Sequence, residues 1–275
     1  MKIKSVTRLT AAALFLTAGL VGAASAASVQ VTITNNSGDN GLYFTPFLNV
    51  FHDGSYTPFQ KGVAASEGLE ILAEVGDTST EAAFAATQGT GTQVFTLADP
   101  ENVGAPEVGG PPVFDPGNSE SFQIALDPFE NQFVTILSMA IPSNDTFIAT
   151  RIQLFDDDGR FIATNQILGA GALYDAGTEV NQSFGQAFNP SDMNGPGFLG
   201  EDENGVVHET TAGDLATLFG QQLPPFAGGG PNTSTAIDLN NLVSIEISEV
   251  PLPAGLPLLL AGLGAFGWMK RRQKA

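Results

Sequence analysis

Short apolar runs recur from residue 29 to residue 248, each closed by a stretch rich in Gly, Pro, Asn or Asp. A chain punctuated this way builds short strands joined by turns, not long helices. Residues 29–34 (Val-Gln-Val-Thr-Ile-Thr) alternate apolar and polar and end in Asn35-Asn36-Ser37-Gly38, which predicts a half-buried strand and a turn. Residues 42–51 form a second, aromatic-rich extended run, and residues 92–97, 121–126 and 236–248 supply three more strands. Residues 133–141 are continuously apolar, the signature of a strand buried on both faces. Residues 151–155 and 160–164 flank Asp156-Asp157-Asp158-Gly159 and read as a hairpin with an Asp-Gly turn. Helical spacing is confined to residues 64–74, where Leu69, Leu72 and Ala73 would share one face, and to residues 211–220, with Asp214 in the first turn. The remaining stretches, 88–118 apart from its strand, 181–206 and 221–235, read as irregular connections. No repeat of fixed period is visible. The expected fold class is all-β, an antiparallel β-sandwich with one or two short helices.

Charge narrows the function classes. Seven of the ten basic residues lie at the extreme ends (Lys2, Lys4, Arg8; Lys270, Arg271, Arg272, Lys274). Only Lys61, Arg151 and Arg160 lie between, among all 29 acidic residues, so the interior of the chain carries a charge of −26. Such a surface repels phosphate backbones and excludes nucleic-acid binding as the expected role. It favours solvation and cation binding. The absence of Cys excludes a disulfide framework, a thiolate metal site and a Cys nucleophile.

Both ends read as address labels. Residues 1–26 combine a basic start, an apolar stretch over 9–21 and Ala24-Ser25-Ala26, the pattern of a cleaved secretory signal. The body, 27–249, would then be exported. Residues 250–275 begin Val250-Pro251-Leu252-Pro253-Ala254, continue with 18 uncharged, mostly apolar residues from Leu252 to Met269, and end in Lys270-Arg271-Arg272. That length just spans a hydrocarbon core, so a C-terminal transmembrane helix is expected, the chain's one link to membrane. The tripartite tail resembles the VPLPA variant of the bacterial PEP-CTERM sorting signals. The resemblance implies a Gram-negative surface or extracellular-matrix protein whose tail is read by an exosortase-type sorting enzyme.

Templates for catalysis are missing. The chain has no Gly-x-Ser-x-Gly, no P-loop and no His-Glu-x-x-His, and its two histidines, His52 and His208, stand far apart. The Asp156–Gly159 turn lacks the Glu that would close an EF-hand loop. Loop acids next to strands are a different matter. Asp175 and Glu179 are four apart with Gly177 between, so one turn can point both carboxylates inward, and Asp145 follows the apolar 133–141 run. Three carboxylates suit calcium, which takes oxygen ligands, although such residues also form plain turns. Glu67, Glu70 and Glu74 lie at helical spacing and read as a solvated face, with Glu74 a candidate buried acid. His52 reads as a hydrogen-bonded structural residue at a strand end.

Three blocks carry a second resemblance. They are Val31-Thr-Ile-Thr-Asn35 with Phe44-Thr-Pro46 and His52; Gly62-Val-Ala-Ala-Ser66 with Leu72-Ala-Glu-Val-Gly76; and Ser138-Met-Ala-Ile-Pro-Ser-Asn-Asp-Thr-Phe147 with Tyr174-Asp-Ala-Gly-Thr-Glu-Val-Asn181. In order and spacing, over about 29–215, they resemble the spondin domain, the N-terminal module type of F-spondin and mindin. The resemblance implies a sandwich of eight antiparallel strands and a calcium ion held at Asp145, Asp175 and Glu179. Glu179 stands where the animal proteins have Asp, and Val207-His208-Glu209 keeps one His of a His-rich block common in bacterial relatives. The expected function is a non-enzymatic, calcium-binding adhesion or matrix-associated protein with an extracellular glycan or surface protein as ligand. The alternatives are a structural biofilm or exopolysaccharide component with purely structural calcium, and a carboxylate-dependent polysaccharide hydrolase.

Overall fold

The computed structural model describes residues 26–39, 41–99, 112–181, 201–218 and 237–251. The expected signal segment, apart from Ala26, lies outside them. So do the expected membrane helix and basic tail. Among the described residues no helix is long and apolar enough to cross a membrane.

Two antiparallel sheets face each other. The smaller contains β5 (Ser119–Leu126), β1 (Ala27–Asn35), β11 (Val243–Glu249) and β8 (Thr164–Leu168), in that order. The larger runs β10 (His208–Glu209), β9 (Leu173–Asp175), β7 (Thr146–Gln153), β6 (Phe133–Ile141), β3 (Phe47–His52), β4 (Gln93–Leu97), and β2 (Tyr43–Phe44) pairs with β6. Eleven described strands therefore exceed the expected eight, because the large sheet gains the two-residue strands β2 and β10 and the three-residue β9.

Alternation explains the small sheet. Val29, Val31 and Ile33 of β1 point inward beside Ile245 and Ile247 of β11, while Gln30, Thr32 and Thr34 face outward. Facing them across the core are Phe47 and Phe51 of β3, Val134 and Ile136 of β6, and Ile148 and Ile152 of β7. The large sheet is covered on its other face too. There Leu48, Val50, Leu137, Phe147 and Ala149 pack with Leu69, Leu72 and Ala73 of α1 (Glu67–Val75) and with Ala85 of α2 (Ser79–Ala85). β6 is thus sandwiched between two apolar layers, as its unbroken run requires.

α1 forms where residues 64–74 predict a helix. Ser66 caps it by accepting from the Leu69 N–H at 3.2 Å, and Gly76 ends it in the left-handed region at φ 70°. A Cβ on Gly76 would collide with Thr45. The second expected helix is α3 (Ala212–Leu218).

The expected 151–164 hairpin is corrected. Its turn exists: the Asp156 N–H donates to the Arg160 carbonyl at 3.0 Å, and Phe155 bridges Phe161. Beyond that single bridge the arms part, β7 staying in the large sheet and β8 joining β11 in the small one. Phe155 and Phe161, stacked edge to face, turn inward at this corner, so core burial wins over continued pairing.

Candidate metal centre

The acidic rim is built from two loops at one end of the large sheet. β6 passes through a short connection into β7, and the Ile141–Pro142 peptide bond in it is cis. Ser143 Oγ accepts from the Thr146 N–H at 3.1 Å and donates to the Ala140 carbonyl, fixing the turn that presents Asp145. The second loop follows β9, which pairs with β7 so that Asp175 lies opposite Thr146. The Ala176 N–H donates to the Asp145 carbonyl at 3.2 Å, stitching the loops together.

Gly177 makes the tight turn between the two acids. Its φ is +66°, and its Cβ would lie 2.6 Å from the backbone of Val206. Next to it the Gly205 N–H donates to the Gly177 carbonyl at 2.7 Å.

Asp145, Asp175 and Glu179 are all buried and gather here, at 0%, 0% and 4% exposure. Asp145 Oδ2 accepts from the backbone N–H of Thr178 (3.0 Å) and of Glu179 (3.2 Å). Asp145 Oδ1 is buried without a hydrogen-bond partner. Burial, then the Asp175 charge, pushes the Asp145 carboxyl up to about 7, against the pull of those two N–H groups. Glu74 comes to the same place from the last turn of α1. Its Oε2 is likewise buried and unpaired, and burial with the Glu179, Glu70 and Asp145 charges pushes it up to about 8. Glu74 is therefore not part of a solvated face: it lies on the apolar side of α1, one position after Ala73.

Asp175 looks two ways. Its Oδ1 accepts from the Gly177 N–H at 2.8 Å and lies 3.6 Å from His208 Nε2. Its Oδ2 accepts from Asn181 Nδ2 at 2.6 Å, and the same amide donates to Asp214 Oδ1 at 3.1 Å. Ligand atoms of Asp175, His208 and Asp214 lie within 4.8 Å of one another; Asp145 and Glu179 are not part of that tighter group. His208 Nδ1 donates to the Glu209 carbonyl at 3.0 Å, which leaves Nε2 toward Asp175. That bond, with the Asp175, Asp214 and Glu203 charges, raises the imidazole above its usual range against the opposing effect of burial. In the sequence His208 is only the remnant of a His-rich block and Asp214 only a first-turn residue of a helix. Their approach depends on the β9–β10 pairing of His208 with Asp175, which no local spacing reveals.

His52 is elsewhere. The Gly54 N–H donates to its Nδ1 at 3.0 Å, so Nε2 carries the proton and donates to Thr135 Oγ1 at 2.9 Å. Burial, with the nearby Arg151 charge, lowers it to about 4. It is the structural residue expected.

The Spondin_N family model matches residues 36–196, more than half of the chain. The chain belongs to the Spondin_N family. No curated protein matches it. The matched region contains the whole of β6, β7 and β9, and with them Asp145, Asp175 and Glu179. Membership points to an extracellular protein of the matrix or adhesion type.

Proposed function

We propose that this Spondin_N protein is a non-enzymatic, calcium-binding adhesion or matrix-associated protein. The observation that carries the reading is the pair of orphaned buried oxygens, Asp145 Oδ1 and Glu74 Oε2, in a pocket of like charge with Glu179 and Asp175. A buried carboxylate oxygen without a donor costs free energy, and a hard divalent cation is the partner that relieves several at once. Asp145, Asp175, Glu179 and Glu74 would hold the ion, and Asp175 also serves the His208–Asp214 side. All four are at most 6% exposed, which favours an ion that ties the β6–β7 loop to α1 and the 176–181 segment over one that touches a ligand directly. Calcium would then set the shape of the rim, and a partner would bind the shaped rim.

Export by residues 1–26 and sorting through the VPLPA-type tail, with its membrane helix and an exosortase-type enzyme, complete the proposal. The test is a melting curve with calcium and with chelator. Calcium should raise the melting temperature of the wild-type chain and leave Asp145→Asn unchanged. An equal curve with and without calcium would remove the metal from the account.

A further inference from the structure

A second site lies on the outer face of the large sheet, where the helical cover ends. α1 and α2 shield β3 and β6, and the segment after β3 folds back over β7 and β9. Between that segment and β6, β7 and β9 remains a cavity of about 200 Å³. Thr135 and Ala149 form part of its lining, together with Tyr56, Phe59, Tyr174 and Arg151. Phe59 and Tyr174 are half-buried and lie 4.8 Å apart at 56°, with Phe147 beneath both.

Arg151 sets the chemistry. It is one of three cations in the −26 interior of the chain. Lys61 pairs with Glu209 at 2.7 Å and Arg160 with Asp158 at 2.6 Å, whereas among the described residues Arg151 has no carboxylate within ion-pair distance. Its guanidinium is instead held in place, 4.2 Å over the Phe133 ring and packed against Gly54, where a Cβ would lie 3.3 Å from Nη2. Among the described residues no Asp or Glu lines the cavity. A fixed, unneutralised guanidinium beside aromatic faces suits a planar carboxylate attached to a ring with an apolar face. The volume is below the ~300–1,000 Å³ of drug-sized sites, so one ring unit fits, not a large cofactor.

We propose that this cavity binds a single carboxylate-bearing sugar unit of a sparsely charged glycan, with Arg151 on the carboxylate and Tyr174 and Phe59 against the ring, since a −26 interior repels a polyanionic glycan as it repels a phosphate backbone. The inference adds a ligand class to the adhesion reading and does not depend on the calcium site.

The experiment is a calorimetric titration of the full chain with the methyl glycoside of galacturonic acid and with that of galactose, each in calcium and in chelator. The acidic sugar should bind and the neutral one should bind at least about tenfold more weakly. Arg151→Gln should weaken the acidic sugar by a similar factor, with Arg151→Lys between the two, because Lys keeps the charge and loses the fork. Arg151 is exposed, so an unchanged melting temperature in both variants separates lost binding from lost folding. No binding of the acidic sugar at millimolar concentration, equal binding of the neutral one, or indifference to Arg151→Gln would overturn the proposal. Binding of a poly-glutamate peptide in place of the sugar would overturn the sugar assignment. Acidic-sugar binding lost in chelator alone would assign it to the calcium rim instead.

Discussion

Asp145 shows how a single carboxylate can be half satisfied. One oxygen takes two backbone N–H groups, and the other takes none. With its carboxyl pushed from 3.8 up to about 7, Asp145 is mainly protonated in the metal-free native state only below about pH 7. The stability contributed by that proton is complete below 3.8 and is lost as pH rises through about 7; for Glu74 it is lost through about 8. In chelator the melting temperature should therefore fall between about pH 5 and pH 9, and Asp145→Asn should flatten the fall. A melt series that stays level for the wild type would contradict this. His52 has the opposite sign. Its pKa is lowered from 6.5 to about 4, so its contribution is present above 6.5 and is lost as pH falls through about 4. An NMR titration of the imidazole should find its midpoint near 4, and a midpoint at 6.5 would refute the burial argument. In the sequence Asp145, Asp175 and Glu179 stand out as loop acids beside strands, in blocks that resemble the spondin domain, and the fold adds that all three are buried. Glu74 is marked by the sequence as a candidate buried acid, but its place beside Asp145 and Glu179, like the approach of His208 and Asp214 to Asp175, is a long-range outcome of helix packing and of β9–β10 pairing.

Elements with a strong period were readable: β1 by alternation, β6 by its continuous run, α1 by its shared apolar face. Short elements were not. α2 is an Ala-rich segment of seven residues with two buried positions, Glu81 and Ala85, too few for a periodic signal. β8 shows weak alternation and is a strand only because β11 pairs with it. The contact between α1 and α2 explains Gly68. A Cβ there would lie 3.0 Å from Glu81 Cα and 3.1 Å from its N, so the helices approach closer than any side chain allows. Gly68→Ala should destabilise by about 1–3 kcal/mol, as overpacking does, although alanine is the better helix former. Chemical denaturation measures it, and a gain in stability would show that the helices can part cheaply. Leu72→Ala should cost about 2–5 kcal/mol by emptying the layer between α1 and the sheet. A loss under 1 kcal/mol would mean that this layer is loosely packed.

At the scale of the molecule, the two sheets differ in what covers them. The small sheet shows polar residues on its outer face; the large sheet is buried on both faces under α1, α2 and the 54–63 segment. That asymmetry places both candidate sites on the large sheet, the acid rim at the ends of β6, β7 and β9 and the Arg151 cavity on its outer face. The all-β class and antiparallel pairing could be anticipated from alternating runs and turns, whereas the corner at Phe155–Phe161, which sends neighbouring strands to different sheets, depends on which aromatics the core accepts. In the proposed function, buried and partly protonated acids exchange their protons for a divalent ion. Calorimetric titration of calcium into the chain near pH 7, in two buffers of different ionisation heat, tests it directly. The expected result is one calcium per chain, protons released on binding, and both effects lost in Asp145→Asn. Absence of calcium binding, or binding that releases no protons and ignores Asp145→Asn, would contradict it.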